Sequence, residues 1–363
     1  MTQRCDLNCP VCFAAAPSKG ADLSPDVVGR LLQRAQEAGP ASNIQFSGGE
    51  PTMRDDLPEL VALGREIGFN FIQVNTNGLR LGRDRAYVKA LQQAGLASVF
   101  LQFDGTEEQI YRRMRGRALL KDKAAAVEAC AEHNIGVVLV PTLVPGVNTH
   151  NIGAIIEKAL DWIPAVRGVH FQPVSYFGRY PAAPSDALRI TLPEVLRAIE
   201  EQSGGMIQAS HFGPPGCENS LCSFHGQFML LSNRKVMPLK SADSKACCAT
   251  PIKADLGAAR AITSVARQWS GRESALTEKK LEQGCCCREP GDHGEDAGST
   301  APMSLDAFIQ RARSHTFSMG PEPYLFHLGH GVPGCLECGP GSCQGLLYPR
   351  DGPRRPVDSL LFV

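Results

Sequence analysis

Five short apolar segments recur along the first half of the chain, and this repeat constrains the fold more than any other feature. The segments start about 30 residues apart, which is the spacing of strand–helix units. They are Ile44–Ser47, Phe71–Asn75, Val99–Phe103, Val137–Pro141 and Val169–Pro173. Because parallel strands need long, usually helical, connections, the repeat predicts an α/β fold with a parallel sheet.

Helical periodicity and helix-end signals lie between these strand segments. The clearest helix has Ser24 as its N-cap, Pro25 at its first position and Gly39 at its end. The same signals predict further helices at Asp84–Ala94, Ala124–Glu132, Ile152–Trp162 and Leu192–Gln202. The alternation of helices with strands supports the α/β prediction.

Three cysteines near the start of the chain form a compact set. Cys5, Cys9 and Cys12 are separated by three residues and then by two. A 4Fe–4S cluster normally takes four thiolates, so three would leave one iron open, as a catalytic site requires. A zinc knuckle or a chance grouping in a Cys-rich chain is the alternative interpretation.

A second motif follows the first predicted strand, in the segment SNIQFSGGEPTMRDDL. Gly48 and Gly49 lack a Cβ, so the backbone there can approach a ligand closely. Glu50 and Pro51 follow, so a carboxylate stands at the carboxyl end of the strand, where α/β barrels carry their chemistry. Alone, these four residues would also fit a turn.

The cysteine loop and the Gly48–Pro51 motif, at this distance from each other, resemble the radical S-adenosylmethionine (SAM) superfamily. The resemblance implies that SAM chelates the open iron and that the second motif holds the SAM amino group. It also implies a partial (β/α)6, TIM-like barrel. The first strand of that barrel is apparently missing, because only Met1–Arg4 precede Cys5.

Longer segments resemble one branch of this superfamily. They are VCFAAA, IQFSGGEPTMRDDLPEL, FIQVNTNGLRL, VFLQFDGT and VRGVHFQPVSYFGRY. They are similar to tetraether-lipid synthase-like proteins and to a related group of radical SAM selenoproteins, here in a Cys version. The branch implies carbon–carbon bond formation on lipid chains or C-methylation, which includes pterin methylation, and the substrate stays open.

Polar residues end several of the predicted strands and are candidates for contacts with SAM or substrate. They are Asn75, Asn77, Gln102, Asp104 and Gln172. For Asn77 and Asp104, each followed by glycine, turn formation is the alternative. The sequence favours a packed core position for His170 and a solvated helix face for the arginines, which are Arg112, Arg113 and Arg115.

The C-terminal part of the chain is Cys-rich, and its cysteines predict auxiliary 4Fe–4S clusters, with zinc or unligated thiols as alternatives. The candidates are Cys217, Cys222, Cys247, Cys248, Cys285, Cys286 and Cys287. His225 is another possible ligand, although a polar loop residue is favoured, and Cys130 is read as a buried thiol on an apolar helix. The predicted domains are therefore a barrel over residues 1–200 and an auxiliary iron–sulfur region over 201–325.

Residues 326–363 form a Gly- and Pro-rich tail that is predicted to be irregular. Codon degeneracy allows the same bases, read one position over, to encode a segment that resembles the usual ending of the branch. The hypothesis is that this tail is an out-of-frame translation, so that its CxxC-spaced cysteines are not ligands. A genuine small metal site is the alternative.

The composition of the chain limits the kinds of partner that it is expected to bind. Lys plus Arg and Asp plus Glu both number 37, which gives no global field for nucleic acid or anionic lipid. No apolar run reaches the length of a membrane span, no signal peptide precedes Cys5, and clustered cysteines favour a reducing cytoplasm. The expected partners are a small-molecule or lipid substrate and a reduced ferredoxin- or flavodoxin-type electron donor.

The leading functional hypothesis is therefore an enzyme in which a 4Fe–4S cluster cleaves SAM reductively. The resulting 5′-deoxyadenosyl radical would abstract hydrogen from an unactivated C–H bond. A non-catalytic iron–sulfur carrier or scaffold and an inactive truncated fragment are the alternatives. Release of 5′-deoxyadenosine after anaerobic reconstitution distinguishes the enzyme from both.

Overall fold

The structure is a computed structural model. It describes residues 1–39, 42–180, 183–213, 223–231, 233–239, 254–271 and 324–330. All statements on structure below concern these residues.

A parallel sheet forms the centre of the molecule. Its strands run in the order β1, β2, β3, β4, β6, and every neighbouring pair is parallel. The bounds are β1 Ile44–Phe46, β2 Ile72–Thr76, β3 Ser98–Gln102, β4 Gly136–Val140, β5 Thr142–Leu143 and β6 Val166–Pro173. The short β5 pairs with the end of β6. The five predicted strands are thus confirmed, as is the α/β fold class.

Three further strands extend the sheet beyond β6, and the sequence did not predict them. They are β7 Phe224–Leu230, β8 Val236–Pro238 and β9 Tyr324–His330. β9 lies between β6, to which it is parallel, and β7, to which it is antiparallel. The boundary predicted at residue 326 therefore falls inside a strand, and His225 lies in β7 rather than in a loop. The out-of-frame hypothesis for the tail stays a prediction.

Helices connect the strands and cover the sheet. They are α1 Pro25–Ala38, α2 Leu57–Ile67, α3 Leu79–Arg83, α4 Arg85–Gln93, α5 Glu108–Arg115, α6 Leu120–Glu132, α7 Ile152–Asp161, α8 Leu192–Gln202 and α9 Ala254–Trp269. The Ser24 hydroxyl accepts a hydrogen bond from the Val27 N–H at 3.4 Å, so it caps α1 as predicted. Thr191 precedes α8, and both its N–H and its hydroxyl donate hydrogen bonds to the Glu194 carboxylate.

The core lies between the helices and the sheet. All five residues of β4 are buried, as expected for a central parallel strand that is covered on both faces. Helices contribute apolar side chains such as Leu32, Leu60, Leu91 and Ile155, each at most 1% exposed. Burying one such side chain contributes about 1.5–3 kcal/mol, so this core fixes the strand ends that carry polar residues.

The first four residues run beside the end of β1, where the resemblance implies another strand. The Met1 ammonium donates to the Ser47 carbonyl at 3.2 Å. The Gly49 N–H donates to the Thr2 carbonyl at 2.8 Å, and the Glu50 N–H donates to the Arg4 carbonyl at 2.7 Å. In the described part of the chain no named strand pairs with this edge of β1. The terminal segment therefore carries the backbone directly into the cysteine loop.

Within the described ranges, no helix has both the length and the apolar character needed to cross a bilayer. The cytoplasmic location and the domain bounds near residues 200 and 325 stay predictions.

Candidate active site

A pocket opens at the carboxyl ends of the parallel strands, with the cysteine loop as one wall. Most of the predicted site residues line it: Cys5, Cys9, Cys12, Gly48, Gly49, Glu50, Asn75, Asn77, Gln102 and Gln172. Pro51 and Asp104 do not line it. The side chains come from the ends of different strands and from the loops beside them, so the parallel order of the sheet is what brings them together.

The cysteine loop is held by its own backbone. The Cys5 N–H donates to the Pro17 carbonyl at 2.9 Å, and the Ala15 N–H donates to the Cys12 carbonyl at 3.0 Å. Cys9 is buried, while Cys5 and Cys12 are half-buried. Burial raises the pKa of the Cys5 thiol to about 12. A metal ligand must be a thiolate, so a bound metal would displace this proton.

Among the described side chains, no three from His, Cys, Asp and Glu are arranged to hold a single metal ion. This finding concerns one ion, such as zinc, bound at one point. An iron–sulfur cube takes its thiolates on separate irons, so its ligands need not converge. The three cysteines are free thiols in the structure.

The two glycines of the second motif make room for the chain itself. A Cβ on Gly49 would lie 2.1 Å from the Arg4 carbonyl oxygen, and one on Gly48 would lie 2.4 Å from the Thr2 carbonyl oxygen. The sequence reading expected close approach of a ligand. The structure shows close approach of the segment that leads into the cysteine loop, so these glycines couple the two motifs.

Glu50 is a buried carboxylate that is surrounded by hydrogen-bond donors. It is 2% exposed and accepts from the Thr76 hydroxyl at 2.7 Å and from the Asn77 N–H at 2.6 Å. The Thr52 hydroxyl and N–H also donate to it, at 2.7 and 3.0 Å. Burial raises its pKa in spite of these donors. In the described residues it has no ion-pair partner, so no cation compensates the negative charge of the ionised carboxylate.

Asp104 has a different environment, because it is paired with an arginine that was expected in solvent. Its fully buried carboxylate accepts two hydrogen bonds from Arg115, each 2.7 Å. Arg115 was expected on a solvated helix face, but it is 7% exposed and lines the pocket. Burial lowers the pKa of Arg115, but Asp104 raises it more, and the net pKa is above the ordinary value. Arg112 and Arg113 are exposed as expected.

Gln102 lies beside this pair. With its amide oriented so that the oxygen faces the guanidinium, it accepts from Arg115 at 3.2 Å. This orientation is assigned from the hydrogen-bonding pattern. Gln102 also lines the pocket, at the carboxyl end of β3.

Asn77 makes the turn contact that the sequence allowed and also lines the pocket. Its side-chain oxygen accepts from the Leu79 N–H at 3.0 Å, which is turn chemistry. Its amide nitrogen donates to Asp6 of the cysteine loop at 2.6 Å, and the residue lines the pocket. The turn residue therefore also ties β2 to the cysteine loop.

Sequence reasoning missed Lys123, a fully buried lysine on α6. Its ammonium donates to the Asn77 carbonyl, and burial lowers its pKa to about 8. A signal was present, because Ala126, Val127 and Cys130 follow at the spacing of one helix face and all are buried. Cys130, at 1% exposed, is the buried thiol that the sequence predicted.

His170 lies in β6 with its ring 5.0 Å from the ring of Phe100. This contact agrees with the packed position that was predicted for it. The candidate auxiliary ligands lie outside the described residues: Cys217, Cys222, Cys247, Cys248, Cys285, Cys286 and Cys287. The auxiliary clusters therefore stay a prediction.

Comparison with known proteins identifies a family match for the segment that forms most of this pocket. Residues 1–159 match the sequence model of the Radical SAM superfamily. These residues form a radical SAM domain. Members of this superfamily use a 4Fe–4S cluster and SAM, so the predicted cofactors agree with the family.

Curated relatives of the radical SAM domain carry out different reactions. A 7,8-dihydro-6-hydroxymethylpterin dimethyltransferase from Methanocaldococcus jannaschii is 44% identical over 218 residues, which are 59% of this chain and 43% of the relative. A PqqA peptide cyclase from Rhodopseudomonas palustris is 40% identical over 120 residues, which are 32% of this chain and 31% of the relative. The chain thus spans less than half the length of either relative.

A solved structure is also similar. Streptococcus suis SuiB bound to S-adenosylmethionine matches with a TM-score of 0.44 and 15% identity, over 56% of this chain and 45% of that chain.

The residues of the radical SAM domain fit the two cofactors. The three thiols stand on one loop at the pocket wall. The buried Glu50 has donors on several sides but no described cation, which suits the amino group of SAM. This donor set is what the fit depends on.

Proposed function

We propose that the protein is a radical SAM enzyme in which Cys5, Cys9 and Cys12 bind a 4Fe–4S cluster and the adjoining pocket binds SAM. The single observation that carries this proposal is the juxtaposition of the three-cysteine loop with the buried, cation-free Glu50 in one pocket. A buried carboxylate without a cation is costly, and an ammonium group of a ligand removes that cost.

The chain's residues have separate roles in this proposal. Glu50 accepts hydrogen bonds from the ammonium group of SAM, while the hydroxyls of Thr76 and Thr52 orient the carboxylate. Asn75, Gln102 and Gln172 offer amide groups along the wall for the polar parts of SAM or substrate. When bound and reduced, the cluster and SAM supply a 5′-deoxyadenosyl radical, and the enclosing wall keeps water from it.

We further infer that the reaction joins a carbon group to an unactivated carbon, with C-methylation favoured over coupling of lipid chains. The 44% identity with a pterin dimethyltransferase supports this choice. Phe13 lines the pocket, and the ring of the exposed Phe177 lies 6.4 Å from it between centroids. An aromatic ring at the pocket suits a flat heterocyclic substrate. A lipid substrate is the alternative that the tetraether-type resemblance implies.

Anaerobic reconstitution tests the core of the proposal. Protein loaded with iron and sulfide, then reduced by dithionite, is expected to convert SAM to 5′-deoxyadenosine and methionine, and the C9A variant is expected not to. Cluster uptake without cleavage of SAM would instead identify a non-catalytic carrier. Absence of cluster uptake would identify an inactive fragment.

Substrate class is tested by a second experiment. A 7,8-dihydropterin and a saturated fatty-acyl lipid are each supplied with methyl-labelled SAM, the reduced protein and a reduced ferredoxin or flavodoxin as the proposed donor. Label is expected in the pterin. Label in the lipid, or a coupled lipid without label detected by mass spectrometry, would overturn the favoured substrate and leave the radical SAM assignment in place.

A further inference from the structure

The segment Tyr176–Tyr180 follows β6 and lies across the cysteine loop; we call it the strap. The Cys12 N–H donates to the Arg179 carbonyl at 2.8 Å, and the Arg179 N–H donates to the Cys12 carbonyl at 2.8 Å. These two bonds form an isolated antiparallel bridge. A residue after the last parallel strand of the barrel is thereby paired with one of the three predicted ligands.

The side chain of Arg179 adds two more contacts to the same loop. Its Nε donates to the Cys9 carbonyl at 2.8 Å, and its Nη1 donates to the Ala16 carbonyl at 3.3 Å. One residue therefore binds the backbone at Cys9, at Cys12 and just beyond them.

The charge of Arg179 is not offset by a carboxylate. In the described part of the chain its guanidinium takes part in no ion pair, and its acceptors are neutral carbonyls. Arginine keeps its charge at any pH that the fold survives. A positive charge stands beside a loop whose thiolates would carry negative charge.

Gly178 lets the strap come this close. Its φ is +75°, and a Cβ would lie 2.3 Å from the Phe13 carbonyl oxygen and 2.5 Å from the Cys12 carbonyl oxygen. Both the backbone conformation and the space therefore require glycine. The close contact between the strap and the cysteine loop therefore depends on Gly178.

The loop is thus held at both of its parts. Thr2 and Arg4 bind the residues after β1, and Asn77 binds Asp6, next to Cys5. Arg179 binds the other part of the loop, at Cys9, Cys12 and Ala16. The strap therefore contacts the part of the loop that carries Cys9 and Cys12.

We propose that Arg179 is a positioning residue that holds Cys9 and Cys12 in place for the cluster and favours its reduced state by its charge. The proposal rests on the proposed function, because it presumes that these cysteines bind a cluster. Partners that orient metal ligands from outside typically change metal affinity by about 10–100-fold. A nearby cation stabilises added negative charge, so it raises the reduction potential.

The test compares full-length R179Q, R179K and R189Q, where Arg189 is an exposed control arginine. After anaerobic reconstitution, R179Q is expected to lose iron to a chelator on the order of tenfold faster than R189Q. Its midpoint potential, followed by the EPR signal of the reduced cluster, is expected to be more negative than that of wild type. R179K keeps the charge and is expected to recover the potential more fully than the iron retention.

A cluster-free measurement separates this proposal from the proposed function. In apoprotein, iodoacetamide is expected to alkylate Cys9 faster in R179Q than in R189Q, as read by mass spectrometry, because the buried thiol loses its anchor. Equal alkylation rates, or equal iron retention and potential, would overturn the positioning role. If wild type takes up no cluster, the proposed function fails and the alkylation rates still decide the role of the strap.

G178A provides a second route if the circular dichroism spectrum shows that R179Q does not fold. It keeps Arg179 but pushes the strap away from Cys12, so it is expected to speed both iron loss and alkylation. A G178A protein that behaves like R189Q in both measurements would also overturn the proposal.

Discussion

Glu50 and Asp104 are two buried carboxylates that follow strands of the same sheet, yet their surroundings differ. Asp104 follows β3 and is bonded twice to Arg115, at 2.7 Å each. Glu50 follows β1 and accepts bonds from neutral donors only. One carboxylate has its cation supplied by the fold, and the other has none among the described residues.

This difference shows that two buried carboxylates in one site can have different roles, one in stabilising the fold and one in binding a ligand. The Asp104–Arg115 pair is complete without a ligand, so it stabilises the wall. In the proposed function, Glu50 gains a cation only when SAM enters the pocket, so its burial would favour binding rather than folding. The predictions that follow test this contrast, beginning with the largest expected effect.

Replacing Asp104 by Asn should lower the free energy of unfolding by about 3–5 kcal/mol, because it leaves Arg115 buried without a carboxylate. Urea unfolding of the apoprotein, followed by circular dichroism, measures this loss. The control is Asp161→Asn, which breaks an exposed pair with Arg234 and should cost at most about 1 kcal/mol. Equal costs for the two variants would mean that the Asp104 pair does not support the wall.

Replacing Glu50 by Gln should weaken SAM binding about 30-fold or more, since a buried charge partner is worth roughly 2–5 kcal/mol. Calorimetry on reconstituted, anaerobic protein measures the affinity, and the iron content should not change. Glu128→Gln, on the exposed side of α6, is the control. Binding by E50Q within about twofold of wild type would remove Glu50 from the SAM site.

Lys123 sharpens the contrast through pH. Its pKa is lowered to about 8 by burial, below its ordinary value, so between about pH 8 and pH 10 the unfolded chain binds a proton that the folded protein has lost. Stability of wild type relative to K123M should therefore rise with pH in that range, by up to about 1.4 kcal/mol per unit.

Urea unfolding at several pH values measures this slope. Lys121→Met removes an exposed lysine from the same helix and should show no such slope. A constant difference between wild type and K123M from neutral to alkaline pH would show that Lys123 does not lose its proton in this range.

Replacing Thr76 by Val should have the smallest effect, a loss of about 1.5 kcal/mol or roughly tenfold in SAM affinity. The variant removes one donor to Glu50, so the raised pKa of that carboxyl rises further. Because only the ionised carboxyl attracts an ammonium group, affinity should fall as pH falls, and in T76V the fall should begin at higher pH. Thr106→Val is the control, and equal pH profiles would contradict the assigned role.

The sequence was sufficient for what depends on local pattern. The strand segments, the Ser24 cap and the placing of Glu50 at a strand end all follow from periodicity, helix-end signals and a short motif. The comparison with known families supports the cofactors. These features are encoded within a few residues of each other, so no distant contact is needed to read them.

The sequence was insufficient where a residue's role depends on distant partners. Arg115 shares a helix face with the buried Tyr111, four residues earlier, but three neighbouring arginines suggested solvent. Its partner Asp104 is eleven residues away in the chain. Arg179 binds Cys9 over 170 residues, and β9 joins the sheet from far along the chain. Such contacts depend on how distant parts of the chain come together in the fold, and a local sequence pattern does not show this.

The four residues at the start of the chain have a consequence for handling the protein. Met1–Arg4 bind the residues that follow β1 and lead into the cysteine loop. If the loop holds the proposed cluster, loss of iron and local fraying of these terminal residues become one event, because they share the same backbone. Air-damaged protein should be cut by protease within the loop before its helices are touched, and bound iron should protect it.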